Sequence, residues 1–267
     1  MKKVIDGLVI KEIPYGESDK LLTVITADEG KMLICAKGAR SPKSKMLPLC
    51  RIFTYANFEY YERAGRKWLS GGSVNDSFFS LNQDISGFAL AAYVLQLADE
   101  ITGEGVPCPT VLRMTLNTLY AIEKKLKPLP LIKAAYEIFA VNDSGFAPDM
   151  TECCECGAES SEKGYFLDVM NGHIICQECM DKRSASAVIS PVDRFQTSNI
   201  LVPIDETSKK AWSYVLCADP KRILAFGFND TASLSTFSRS AETYLINHLE
   251  RDFETLKFYN TVKEDSP

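Results

Sequence analysis

The sequence predicts an α+β chain, with a small N-terminal five-stranded β-barrel over residues 1–79 and an all-α domain over residues 80–267. Three observations carry this reading. Runs rich in Val, Ile, Leu and Thr fill residues 1–76, apolar residues recur every three or four positions after Ser80, and two C-x-x-C pairs interrupt the second half. A chain of 267 residues is long enough for two cores.

The strands come first. Val4–Ile13, Leu21–Ala27 and Met32–Ala36 are three such runs, with Asp28-Glu29-Gly30 as a short hairpin loop between the second and third. Ile52–Tyr61 is dense in aromatics, and Lys67–Val74 follows the turn Arg63-Ala64-Gly65. Gly71-Gly72 inside the fifth run predicts a bulge or a barrel corner. Five short strands with almost no helix fit the partly open barrel of the oligonucleotide-binding (OB) type. A five-stranded SH3-like barrel has nearly the same pattern, so periodicity leaves both open.

The period then changes. Ser80-Leu81-Asn82-Gln83 matches the S-x-x-Q capping box, and Ile85, Phe88, Ala92, Leu95 and Ala98 follow at helical spacing toward Ile101. Pro109 suits the first turn of a second helix, and a third is expected over 131–141. Further helices are expected near 192–200, 209–217 and 234–260.

Net charge is −5, but its distribution is uneven. Residues 1–80 hold 13 Lys/Arg against 9 Asp/Glu, and the stretch from Lys37 to Lys67 holds 8 against 2. A basic patch on an acidic chain is a local electrostatic footprint of the kind that meets phosphate, the alternative being a solvated lysine-rich surface. Lys37, Arg40, Lys43 and Lys45 lie among small residues in a Gly- and Pro-containing loop, with Arg51, Arg66 and Lys67 at nearby strand edges or turns. Alternation along the fourth strand puts Tyr55, Asn57, Glu59 and Tyr61 on one side and Ala56, Phe58 and Tyr60 on the other. Glu59 marks the first side as wet, so Tyr55 and Tyr61 are the candidates to stack on bases, the alternative being that most of these rings are barrel core.

Cys153-x2-Cys156 and Cys176-x2-Cys179, with 19 residues between the pairs, fall in the spacing window of four-thiolate zinc sites. The expected insert spans residues 150–182, with Tyr165-Phe166-Leu167 as a small strand beside the metal. Four thiolates fill the tetrahedron, so the zinc is expected to be structural, with Cys154 and His173 as bystanders.

Catalytic templates are missing: the chain has no phosphate loop, no G-x-G-x-x-G and no G-x-S-x-G. His248-Leu249-Glu250 matches H-x-E of zinc deaminases, but both cysteine pairs lie upstream, the reverse of that signature. No enzyme activity is expected. Asp6, Lys11 and Glu12 break any signal-like run, and the apolar stretch Phe88–Ala98 is too short to span a bilayer. A cytoplasmic protein without membrane contact is expected, its nine cysteines serving metal or burial rather than disulfides.

Over nearly its whole length the chain resembles the bacterial RecO family. The resemblance is carried by residues 7–45, above all Tyr15-Gly16-Glu17-Ser18-Asp19 and Lys37-Gly38-Ala39-Arg40, by residues 146–179 around the cysteines, and by Tyr244–Tyr259. The doubled Cys153-Cys154 departs from the family pattern, and some members lack the cysteines altogether. The resemblance implies a recombination mediator of DNA repair that binds single- and double-stranded DNA and anneals complementary strands. It further implies work with RecR, and in some pathways RecF, to load RecA onto DNA covered by single-strand binding protein, at the bacterial nucleoid. The helical domain would engage that protein's acidic, apolar C-terminal tail, for which Arg113, Lys124, Lys125 and Lys127 are the candidate cations, the alternative being a solvated face. Two other classes remain open on the residues alone: a zinc-stabilised protein-interaction adaptor, and an OB-fold factor that prefers RNA.

Overall fold

The computed structural model describes residues 2–186 and 200–264. The chain divides into two compact units, one of residues 1–126 with 253–267 and one of residues 127–252. The boundary drawn from sequence at residue 79 therefore falls inside the first unit.

The first unit opens with β1 (Lys2–Tyr15), β2 (Asp19–Thr26), β3 (Gly30–Ala36), β4 (Tyr55–Arg63) and β5 (Arg66–Asp76), which form a closed barrel in the order β1-β2-β3-β5-β4. The long first strand makes closure possible. Its N-terminal half pairs antiparallel with β4, from Lys2↔Tyr61 to Leu8↔Tyr55, and its C-terminal half pairs with β2. A meander would leave β3 beside β4. Here β3 pairs with β5 in parallel, Ile34↔Lys67 and Cys35↔Trp68, which is the Greek-key closure of an OB barrel. Val9, Leu22, Val24, Ile34, Ala56, Phe58 and Tyr60 fill the interior.

Two local features depart from the simple strand reading. Ile52–Thr54 lies outside β4 because Phe53 takes a left-handed conformation (φ 67°) that breaks the extended chain. Its buried ring meets Phe88 edge-on, with centroids 5.5 Å apart. In β5, Ser70 is the extra residue, since Glu59 pairs with Gly71 and Tyr60 with Leu69. Gly72 beside this bulge has φ 149°, and a Cβ there would sit 2.2 Å from the Asn57 carbonyl oxygen.

Next come α1 (Ile85–Ile101) and α2 (Pro109–Glu123). The Ser80–Gln83 capping box does not form. Phe78 is left-handed (φ 44°) and turns residues 79–83 into a short 3-10 helix. Asp84 caps α1 instead, accepting from the N–H groups of Ser86 and Gly87 at 3.1 and 3.2 Å.

The second unit contains α3 (Leu129–Asp143), β6 (Asp149–Cys153), β7 (Tyr165–Asp168), β8 (His173–Cys176), α4 (Gln177–Ser186), β9 (Leu201–Ile204), α5 (Glu206–Cys217) and α6 (Thr231–Leu249). Around the cysteines the sequence foresees one strand; the structure has a four-stranded sheet, ordered β6-β8-β7-β9. The helix expected over 192–200 lies outside the described residues except for Ile200. The single helix expected over 234–260 is two, α6 and α7 (Glu254–Glu264), because Glu250 is left-handed (φ 49°). The second belongs to the first unit, where Phe253 at its start meets Tyr93 of α1 with ring centroids 5.6 Å apart. The Gln96 side-chain oxygen accepts from the Thr255 N–H at 3.4 Å, which accounts for a polar residue on the apolar α1.

A buried charge cluster ties α3 to α6. Lys133, 2% exposed, lies 2.9 Å from Glu137 and 2.8 Å from Glu242. Burial opposes its charge, but the two carboxylates outweigh that and hold the ammonium charged. Removing the ammonium from such a cluster takes away the cation that compensates two buried or half-buried carboxylates. Lys133→Ala is expected to lower stability by about 3–5 kcal/mol, read as a shift of the urea-unfolding midpoint.

Candidate metal centre and nucleic-acid interface

The two cysteine pairs are positioned by the small sheet. Cys153 ends β6, Cys176 ends β8 and Cys179 sits in the first turn of α4. Cys156 lies in the tight turn after β6, closed by Gly157 (φ 71°), whose N–H donates to the Cys153 carbonyl at 2.9 Å. The four sulfurs lie within 4.8 Å of one another and can hold a metal ion. Cys154 and His173 stand outside this group, as expected. The Cys154 N–H instead pairs with the Ile174 carbonyl at 3.0 Å, which turns its side chain to solvent.

The donors suit thiolates. The Cys176 N–H donates to Cys153 Sγ at 3.3 Å. Burial opposes ionisation of Cys153, but the N–H groups of Cys176, Cys156 and Glu155 outweigh it and bring the thiol down to about 6. Burial holds Cys176 and Cys179 up, the cost that coordination to a cation removes. Two cations brace the site. Lys209 of α5 donates to the carbonyls of Thr151 (2.9 Å) and Glu159, on either side of the first pair, and lies 5.0 Å from the Tyr165 ring centre. Arg183 of α4 pairs with Glu155, joining the helix after the second pair to the turn of the first. His248 belongs to neither arrangement: its Nε2 pairs with the Val169 carbonyl at 2.7 Å, and its ring lies 4.2 Å from that of Tyr244.

On the barrel, β4 alternates as the sequence implies. Ala56, Phe58 and Tyr60 are fully buried, Tyr55 is half-buried and Tyr61 is 40% exposed. A cleft of about 620 Å³ is lined by Asp19, Lys37, Tyr61, Arg63, Ala64, Arg66 and Trp68. It thus joins three of the residues singled out from sequence, Lys37, Tyr61 and Arg66, with two others, Arg63 and Trp68. Tyr61 and Trp68 face each other across the β4–β5 ladder, as do Arg63 and Arg66 at the hairpin tip. Arg66 also donates to the Tyr15 hydroxyl at 2.7 Å. Cations beside an exposed Tyr61 and a half-buried Trp68 can take a phosphate chain and its bases.

Comparison with known proteins agrees with this architecture. The family model "Recombination protein O N terminal" matches residues 1–78, and "Recombination protein O C terminal" matches residues 82–195. Three relatives named DNA repair protein RecO illustrate the range. That of Acetivibrio thermocellus is 25% identical over 96% of this chain and 95% of its own length. That of Alkaliphilus metalliredigens is 27% identical over 96% and 98%. That of Listeria innocua is 34% identical over 66% and 68%. The chain belongs to the RecO family.

Within this RecO-family barrel the remaining cations differ in their surroundings. Lys43 and Lys45 are exposed on the loop after β3, with no side-chain partner among the described residues. Arg40 is exposed but anchored, donating to the Gly16 and Glu17 carbonyls at 3.3 and 2.9 Å. Lys67 pairs with Glu29 at 3.4 Å, so part of its charge is already compensated. Arg51 lines a second cleft of about 510 Å³ with Lys20, Phe53, Val74 and Phe79. Tyr55 does not line the first cleft; burial and the nearby Asp6 raise its hydroxyl. The sequence reading missed Arg63 and Trp68 as site residues. The available signal was the hairpin turn Ala64-Gly65, whose flanking strand positions must face each other. Of the cations considered for a peptide tail, Lys124 pairs with Glu123 and Lys125 with Asp84, both at 2.9 Å, and Lys127 donates to the Phe226 carbonyl at 2.7 Å; Arg113 is exposed.

The bracing by Lys209 yields a test. Lys209→Met is expected to cost about 1.5–3 kcal/mol, the range for hydrogen bonds to a charged donor, and to speed reaction of Cys153 with a thiol reagent. Labelling kinetics followed by mass spectrometry check the second effect.

Proposed function

We propose that this chain is a non-enzymatic mediator of recombinational repair. It binds single- and double-stranded DNA through its barrel and anneals complementary strands. With RecR, and in some pathways RecF, it loads RecA onto DNA covered by single-strand binding protein, whose C-terminal tail it engages. It acts in the cytoplasm at the nucleoid; among the described residues no helix is long and apolar enough to cross a membrane. The observation that carries the reading is the cleft in which Lys37, Arg63 and Arg66 surround Tyr61 and Trp68, on a chain of the RecO family.

The physics of annealing supports it. Two strands repel through their phosphates, and cations that neutralise part of that charge lower the cost of bringing them together. The exposed Lys37, Lys43 and Lys45 supply such charge without any covalent step. The annealed duplex is held by base pairing, so the protein needs only to gather strands and release the product.

The metal in this reading is zinc. Cys156 and Cys176 sulfurs lie 3.8 Å apart. A tetrahedron with zinc–sulfur distances of about 2.3 Å requires about 3.8 Å between sulfurs. With all four positions taken by cysteine, the ion would supply folding energy and no open site for water.

Three measurements test these statements. Neutralising Lys37, Arg40, Lys43 and Lys45 together is expected to weaken single-strand binding and to flatten its salt dependence by about 0.7 in slope for each phosphate no longer neutralised. Unchanged affinity and slope would remove this surface from the reading. Protein purified under reducing, chelator-free conditions is expected to carry one zinc per chain by elemental analysis; less than about half an equivalent counts against the site. In a strand-annealing assay with labelled complementary oligonucleotides, with and without single-strand binding protein, rates no higher than spontaneous pairing would rule out mediation.

A further inference from the structure

Among the barrel's cations, one set lies among rings in the first cleft and another stands on an open loop. The cleft between the loop after β3 and the β4–β5 hairpin holds Tyr61 and Trp68 side by side, paired across the ladder and therefore on the same face of the sheet. Lys43 and Lys45 lie on the loop after β3, are exposed, and do not line that cleft. We propose that the Tyr61–Trp68 cleft accepts only unpaired bases and so selects single strands, whereas the Lys43–Lys45 loop holds any phosphate backbone. This rests on the DNA-binding reading above and assigns its strand preference.

The argument is one of available faces. In a duplex each base stacks on its neighbours, and its π-face is closed to a protein ring unless the base is extruded at a cost. A single strand can splay its bases and lay them on aromatic side chains. The cleft is open, and its volume of about 620 Å³ leaves room for an unpaired base. Its charges are arranged for a chain that passes by. Arg63 and Arg66 are opposite in register at the hairpin tip, where Arg66 also donates to the Tyr15 hydroxyl, and two like charges at one tip favour an anion. Asp19 is the one carboxylate among the lining residues, and its Oδ1 accepts from the Gly38 N–H at 2.8 Å. A carboxylate there disfavours phosphate at that end of the cleft and leaves the end to a base. Lysines on an open loop make no such distinction, because a phosphate looks the same on one strand or two.

The chain carries its own reporter. It has two tryptophans, Trp68 in the cleft and Trp212, which is fully buried with its indole N–H donating to Ser240 at 2.9 Å. Stacking on a base quenches an indole, so fluorescence of the full-length wild-type protein reads the cleft. Binding of an unstructured single-stranded oligonucleotide and of a blunt duplex of equal length is followed by anisotropy of labelled DNA, with tryptophan emission recorded at saturation. The expected result is quenching by the single strand and none by the bound duplex. Replacing both rings, Tyr61→Leu with Trp68→Leu, is expected to weaken single-strand binding by about 5- to 150-fold for one stacked base and duplex binding by less than about 2-fold. Lys43→Ala with Lys45→Ala weakens both alike. Equal quenching by duplex, or an equal loss of both affinities in the ring variant, overturns the division of labour and leaves DNA binding standing. Wild-type protein that binds neither DNA at low salt overturns the DNA-binding reading and this one together. The quenching comparison needs no variant, so it decides the matter even if the ring replacements misfold.

Discussion

The parallel pairing of β3 with β5 is the constraint on which the first unit depends. A strand that pairs with β4 along one half and β2 along the other, as β1 does, must belong to a sheet that curls, and the sheet closes only if β5 reaches back to β3. Closure leaves no free edge, and the interior is small enough to be filled by side chains. Ala56, Phe58 and Tyr60 occupy it, so the intervening residues of β4 must lie outside. Trp68, opposite Tyr61 and beside Cys35, is brought to the lip of the cleft by the same register. The placement of these two rings is therefore a consequence of how the core is filled.

In the second unit, charged ties work beside an apolar core that includes Leu167, Ile174, Trp212 and Phe237. The sheet around the cysteines is small, and its turns are held by polar ties. Lys209 gathers two carbonyls that flank the first cysteine pair, and Arg183 joins the turn of that pair to α4. Lys133 anchors two helices through Glu137 and Glu242. A buried cation is costly unless each of its donors is used, so Lys133 and Lys209 specify geometry as well as adding stability. The thiols follow the same logic: backbone N–H groups converge on Cys153 and favour its anion, while burial opposes the anions of Cys176 and Cys179.

The barrel's basic residues also divide by their partners. Lys67 is set against Glu29, Arg40 staples the β1–β2 turn, and Lys20 pairs with Glu12 at 2.8 Å. Lys37, Lys43 and Lys45 carry their charge into solvent. A count of lysine and arginine along residues 37–67 treats all of these as equal, yet their fields differ because a compensated charge projects little beyond its partner.

Much of this was legible in the chain itself, since short-range periodicity and spacing are properties of neighbours. Alternation along β4 separated Phe58 and Tyr60 from Tyr61. The helical period placed the end of α1 at Ile101, and two C-x-x-C turns announced four convergent sulfurs. The misreadings arose where one backbone angle overrides a pattern: Phe53 delays β4, Phe78 cancels the Ser80 cap in favour of Asp84, and Glu250 splits the last helix. Only the tertiary structure decided between the two barrel topologies, because β3 and β5 meet with the whole of β4 and its preceding loop between them in the chain. Only it decided which residues share a site, since Asp19, Lys37 and Trp68 come from separate strands and turns that no local spacing relates. The sequence by itself determined which residues face in or out and that four thiols would gather; the fold determined which of the outward residues meet, because that depends on how strands close rather than on how residues follow one another.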